Sequence, residues 1–189
     1  MTTEIKRNSK ILRREDTALL IIDVQKRILG VMQNHEELVK NIIKLIKGAE
    51  ILGIKIYYTE QYPKGLGETI DELKNLLNKN EAVHKMTFSC SGAGDLFSEL
   101  KKNNFSQIAV CGIESHVCVQ QTVLDLIEND FQVTLTADAC SSRRKTDYDF
   151  AMDRMRQHGA EVTTTECVLF ELLQVCGTDE FRSISKLVK

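Results

Sequence analysis

Short β-branched and aliphatic runs alternate with stretches of helical periodicity along this chain, and no other property of the sequence limits its fold as much. Thr17-Ala-Leu-Leu-Ile-Ile22, Ile54-Lys-Ile-Tyr-Tyr-Thr59, Glu81-Ala-Val-His84, Ser106-Gln-Ile-Ala-Val-Cys-Gly112, Phe131-Gln-Val-Thr-Leu-Thr136 and Glu161-Val-Thr-Thr164 have the length and composition of strands. Between the first two, Leu38, Ile42, Leu45, Ala49 and Leu52 recur at helical spacing. Asn34 stands where a cap is needed, Glu37 three residues on completes a capping-box pattern, and Gly53 is the stop. Further helices are expected around Asp71 to Leu77, Asp95 to Lys101, Val119 to Glu128 and Thr146 to His158, from Cys167 to Cys176, and in the tail where Phe181, Ile184, Leu187 and Val188 share a face. Alternation of this kind buries both faces of a sheet under helices and favours parallel strands. The expectation is a three-layer α/β/α sandwich in a single domain spanning 1–189, a length that one core can serve.

Composition narrows the partner. The formal net charge is -2 with Lys and Arg scattered, so there is no electrostatic footprint for nucleic acid, and a small neutral or weakly charged molecule fits better. The segment from Met1 to Lys10 has no apolar core of a signal peptide, and no apolar run approaches the roughly 20 residues that span a bilayer. Six cysteines, none in a CxxC pair, read as reduced thiols of a cytoplasmic protein.

Three ionisable residues stand where strands end. Asp23 follows Ile22, Lys85 follows His84, and Cys118 lies just past the strand that closes at Gly112, at the expected start of a helix whose apolar face is Val119, Val123, Leu126 and Ile127. In α/β sheets ligands bind at the carboxyl edge, so these three converge on one site. A helix N-terminus also lowers a thiol pKa, which predicts a reactive Cys118.

The segments Leu20-Ile-Ile-Asp-Val-Gln25, Lys85-Met-Thr-Phe-Ser89 and Cys111-Gly-Ile-Glu-Ser-His-Val-Cys118 together resemble the isochorismatase-like cysteine hydrolase superfamily. Asp138-Ala-Cys-Ser-Ser-Arg143 and Arg154-Met-Arg-Gln-His-Gly-Ala160 are similar to its isochorismatase-domain-containing subgroup. The resemblance implies a Rossmann-like fold with a parallel sheet of about six strands. It also implies a Cys-Asp-Lys triad that hydrolyses an amide-type C–N bond through a thioester, without a cofactor. By position Cys118 is the nucleophile, Asp23 the base and Lys85 the supporting cation. The backbone N–H groups of Glu114 and Cys118 are the oxyanion donors, beside a cis peptide at Ile113–Glu114. Gln25, Tyr58, Tyr62, Phe88 and Ile113 are pocket candidates, Gln25 as a residue that orders the Asp23 loop. A homo-oligomer is expected.

Two departures from relatives of that superfamily narrow the substrate. Its nicotinamidases carry metal-binding histidines after the second strand, where this chain reads Tyr58-Thr-Glu-Gln-Tyr-Pro63, and no histidine lies between His35 and His84. The chain lacks tryptophan as well, so nicotinamide is disfavoured and no metal site is expected. True isochorismatases cleave a vinyl ether without needing the thiol, so Cys118 points to covalent C–N chemistry.

Plainer assignments apply to the remaining residues. Cys111, Cys140, Cys167 and Cys176 read as core, since cysteine is among the most buried residue types. Cys90 reads as structural or as a resolving partner for Cys118. His116 invites a Cys-His pair only if its ring turns back toward the thiol. Arg143 and Arg144 fit either an anionic substrate or a subunit contact. A thiol redox sensor and a catalytically silent oligomeric binding module on the same fold are the competing functions.

Overall fold

The computed structural model describes residues 6–189, so part of the N-terminal reading, residues 1–5, lies outside them. Strands β1 (Thr17–Ile22), β2 (Lys55–Gln61), β3 (Ala82–Lys85), β4 (Gln107–Ile113), β5 (Gln132–Ser141) and β6 (Glu161–Thr163) form one sheet, ordered β3-β2-β1-β4-β5-β6. Every pairing is parallel. Order reverses between β1 and β4, so the chain leaves those neighbours toward opposite faces and opens a crevice at their carboxyl ends.

Helices fill the crossovers: one-turn α1 (Lys26–Leu29), α2 (His35–Leu52), one-turn α3 (Pro63–Leu66), α4 (Asp71–Leu76), α5 (Leu96–Lys102), α6 (Gln120–Glu128), α7 (Lys145–Gln157), α8 (Thr165–Leu173) and α9 (Asp179–Val188). The α2 stripe Leu38, Ile42, Leu45, Ile46 and Ala49 is buried, and α2 packs with α8 and α9 on one face. The other face takes α6 and α7, with α5 joined to it through the Phe97–Phe131 edge contact. Strand β1 is buried along its whole length, as a central parallel strand covered on both sides must be.

Several local expectations change. Asn34 precedes α2 in a left-handed conformation with no side-chain cap bond, and Glu37 pairs with Lys40, so the capping box does not form. Strand β5 runs five residues past Thr136, because Ala139 and Cys140 are buried against β4 after a register shift at Val110/Gly112. Helix α8 stops at Leu173, which leaves Cys176 outside it, and both Cys167 and Cys176 are exposed rather than core. Cys111 and Cys140 are buried. Gly112 has φ +122°, and a Cβ there would lie 2.1 Å from the Ile22 carbonyl oxygen, so only glycine lets β4 approach β1 this closely beside the site.

Candidate active site

Asp23, Lys85 and Cys118 meet at the carboxyl edge of β1, β3 and β4, where the strand order reverses, and are 3%, 3% and 7% exposed. Asp23 leaves β1 with φ +54°, a conformation that aspartate tolerates better than most side chains, and its N–H donates to the Thr59 carbonyl at 3.2 Å. Its Oδ1 accepts from Thr59 Oγ1 at 2.7 Å and its Oδ2 from Lys85 Nζ at 2.6 Å. The Lys85 ammonium donates onward to Gln61 Oε1 at 2.8 Å and to the Phe88 and Thr87 carbonyls at 2.9 and 3.3 Å. Three protons face four oxygens. A buried ammonium this well enclosed stays compensated, and its charge acts through Asp23.

Cys118 does not start an α-helix. It lies in a π-helical turn, Ser115–Val119, that runs into α6, and the Glu114 carbonyl accepts from the N–H groups of Val117 and Val119 at 3.1 and 3.2 Å. The Ile113–Glu114 peptide ahead of it is cis. Burial pushes the thiol pKa well up, the Asp23 charge adds to that, the Lys85 charge opposes it, and Asp23 as an acceptor raises it again. The expected depression by an α-helix terminus loses its geometric basis, because Cys118 lies within the π-helical turn, and burial beside a carboxylate works in the opposite direction, favouring the thiol. Cys118 Sγ also faces Gln61 Oε1 at 3.9 Å.

Gln61 and Thr59 are the residues that sequence reasoning missed. Both are neutral, so no charge marks them, but they sit two apart on β2 and point to the same side. That parity, on the strand beside β1, was the available signal. Tyr58 faces the other way. Its phenol pKa is raised by burial and by Glu60, and Lys74 and Glu68 are among its charged neighbours, so it is not a wall of this site. Gln25 is fully buried and spans Gln61 and Gly67: its Nε2 donates to their carbonyls at 3.0 and 2.5 Å, and its Oε1 accepts from the Gln61 N–H at 2.8 Å. These bonds join the residues after Asp23 to the end of β2 and to the loop at Gly67. Ile113 is buried, whereas Tyr62 and Phe88 are exposed at the edge of the site.

The neighbouring titratable groups settle elsewhere. The His116 ring faces Ser142 Oγ at 3.0 Å through Nδ1 and Asp147 through Nε2 at 3.9 Å, so no Cys-His pair forms. Buried Glu114 accepts from the Arg143 N–H and Nε at 3.1 and 3.0 Å, which ties the turn to the end of β5. Cys90 is buried with its thiol 3.9 Å from Thr59 Oγ1, and burial together with the Asp23 charge pushes its pKa up to about 11. Its N–H donates at 3.0 Å to Thr122 Oγ1, which in turn donates to the Cys118 carbonyl at 2.7 Å.

Fold and site together define a doubly wound α/β protein with a thiol, a carboxylate and an ammonium held at its switch point. Residues 17–167 match the isochorismatase domain model, and the chain belongs to the isochorismatase family. It is 36% identical to isochorismatase domain-containing protein 2 of Danio rerio, over 94% of this chain and 89% of that one. A MAR1 ribonuclease structure from Caenorhabditis elegans is 34% identical, with TM-score 0.87 over 94% of this chain and 91% of that one. The same fold recurs at 22% identity and TM-score 0.88 in YcaC from Pseudomonas aeruginosa, described with hexane-2,5-diol and covalent acrylamide, over 96% of this chain and 93% of that one. Family membership supports hydrolase chemistry. Among the described residues no helix is long and apolar enough to cross a membrane.

Proposed function

We propose that the protein hydrolyses an amide-type C–N bond of a small molecule through a thioester on Cys118. The observation that carries this is Asp23, gripped on one oxygen by Lys85 at 2.6 Å and on the other by Thr59 at 2.7 Å while facing the thiol. As sulfur attacks the carbonyl carbon, Asp23 takes the thiol proton, and the oxyanion meets the N–H groups of Glu114 and Cys118. Lys85 stabilises the charge this creates. The tetrahedral centre then expels the amine, Asp23 returns the proton to it, and a thioester remains. Water attacks the thioester with Asp23 again as base, releasing the carboxylic acid and regenerating the thiol. The sum is amide plus water to acid plus amine.

A resting thiol whose pKa is pushed up argues against a redox sensor, which needs an exposed thiolate. One relative's ribonuclease name favours RNA as a second substrate class, while a net charge of -2 and near-complete burial of the three groups favour a small molecule. Six free cysteines support a reducing compartment such as the cytoplasm, and function without metal or cofactor remains part of the proposal. The deciding experiment measures ammonia release from neutral primary amides and cleavage of single-stranded RNA, with wild type and Cys118→Ala. Amide turnover lost in Cys118→Ala, with a thioester mass on Cys118 in the wild type, is expected. RNA cleavage that survives in Cys118→Ala, without amide turnover, would overturn the proposal.

A further inference from the structure

Met86, Phe88 and Tyr62 are large apolar side chains left 70%, 54% and 46% exposed around the triad. Their backbones are fixed by the groups that hold it. The Tyr62 N–H donates to the Lys85 carbonyl at 2.9 Å, Gln61 Nε2 donates to the Met86 carbonyl at 2.9 Å, and Lys85 Nζ donates to the Phe88 carbonyl at 2.9 Å. Ser89 and Ser91 tie the far end of the same loop to Asp125 of α6 at 2.5 and 2.7 Å. The Tyr62 ring lies over Gly65, where a Cβ would stand 2.3 Å from ring atoms. The main chain is held at these points, so the three Cα positions around the site are fixed by bonds to Lys85 and Gln61.

The loop that carries Met86 and Phe88 is uncharged. From Met86 to Gly94 it has no ionisable group except Cys90, which is buried, and the adjoining Lys85 has its protons directed to other acceptors, while on the Tyr62 side Arg27 donates to the Lys64 and Gly65 carbonyls at 3.3 and 2.8 Å. A carboxylate set against Met86 and Phe88 would lose water and gain no partner from their loop, whereas an aryl or branched alkyl group would lose contact with water at apolar surface already exposed. Resting on the amidohydrolase assignment, we propose that Tyr62, Met86 and Phe88 receive the acyl group of the substrate, and that the substrate class is an uncharged amide with an apolar, aryl or branched alkyl acyl part. Met86 and Phe88 determine specificity and leave the chemistry to the triad.

The test needs no turnover. Alkylation rates of Cys118 are measured by peptide mass for iodoacetamide, iodoacetate and N-benzyliodoacetamide, with exposed Cys167 as the internal reference. The benzyl-to-unsubstituted rate ratio at Cys118 is expected to exceed that at Cys167 about tenfold, as burial of part of one ring implies. Iodoacetate should be the slowest reagent at Cys118, and benzamide should protect that site. Phe88→Ala and Met86→Ala should each bring the benzyl-to-unsubstituted ratio at Cys118 toward that of Cys167, whatever change the iodoacetamide rate itself shows. Equal ratios at the two cysteines, or ratios unchanged in both variants, overturn the inference. So does dissociation of an oligomer by Phe88→Ala with the ratio intact, which assigns the wall to a second copy. Preserved selectivity without amide hydrolysis would instead remove the amidohydrolase assignment and keep the wall as a ligand site.

Discussion

At the residue scale the proposed chemistry asks Asp23 to serve two opposed purposes: raising the thiol pKa at rest and accepting the proton during attack. Asp23→Asn should therefore lower amide turnover by at least about two orders of magnitude, as loss of a general base and acid does. In the same variant iodoacetamide should modify Cys118 faster at neutral pH than in the wild type, because a charge and an acceptor that raise the thiol pKa are gone. A slower reaction of Cys118 in Asp23→Asn would refute this electrostatic account. In the wild type Cys167 should react before Cys118, being exposed with its pKa lowered by hydrogen bonds from Thr164 and Thr163. Lys85→Met leaves a buried carboxylate without its cation, and chemical denaturation should show a loss of about 3–5 kcal/mol alongside the loss of turnover. The charges at strand ends were legible in the sequence because apolar runs stop at them. Gln61 was not, since its parity with Thr59 on β2 was the only signal and a neutral amide carries no charge to show that it will bridge a lysine, a thiol and the Met86 carbonyl.

At the scale of elements, strand and helix order followed from periodicity, but ends did not. The extension of β5 through Cys140 depends on β4 lying beside it, and residues such as Asp138 and Ser141 carry no strand signal of their own. The π-helical turn is hidden for a similar reason: Ser115-His-Val-Cys-Val119 scans as the start of a helix, and only the backbone bond from the Val119 N–H to the Glu114 carbonyl, five residues back, marks the wider turn. Gly112 gives this scale its sharpest test. Gly112→Ala should destabilise by on the order of 3 kcal/mol, from an unfavourable φ together with overlap on the Ile22 backbone. A melting temperature equal to wild type would mean that β4 and β1 can separate at this end without penalty.

For the whole molecule, pH dependence follows from buried thiols. Burial raises the pKa of Cys90, Cys111, Cys118 and Cys140, so each stays protonated in the native state above the unfolded value near 8.5. Above that pH the unfolded chain binds fewer protons than the folded one, so stability falls as pH rises, while below it these thiols add no slope. Thermal melts from pH 8 to 10 should show this decline, and Cys140→Ala should flatten it after allowance for the packing lost. A single cooperative transition in those melts is expected if 1–189 is one domain, and sedimentation at micromolar concentration should report a homo-oligomer. Activity is further expected to survive exhaustive chelation, with loss on chelation and recovery with zinc or iron refuting metal independence.

Lys85 offers three protons to four oxygens, and two of those oxygens belong to the loop that displays Met86 and Phe88. On the proposed reading, recognition and reactivity are thereby mechanically one body. Grafting a differently shaped loop to change what the protein accepts would strip or add partners at the ammonium and so alter the charge balance between Asp23 and Cys118. New specificity on this scaffold is best sought by exchanging the exposed side chains one at a time, with the main chain from Lys85 to Ser89 left as it stands.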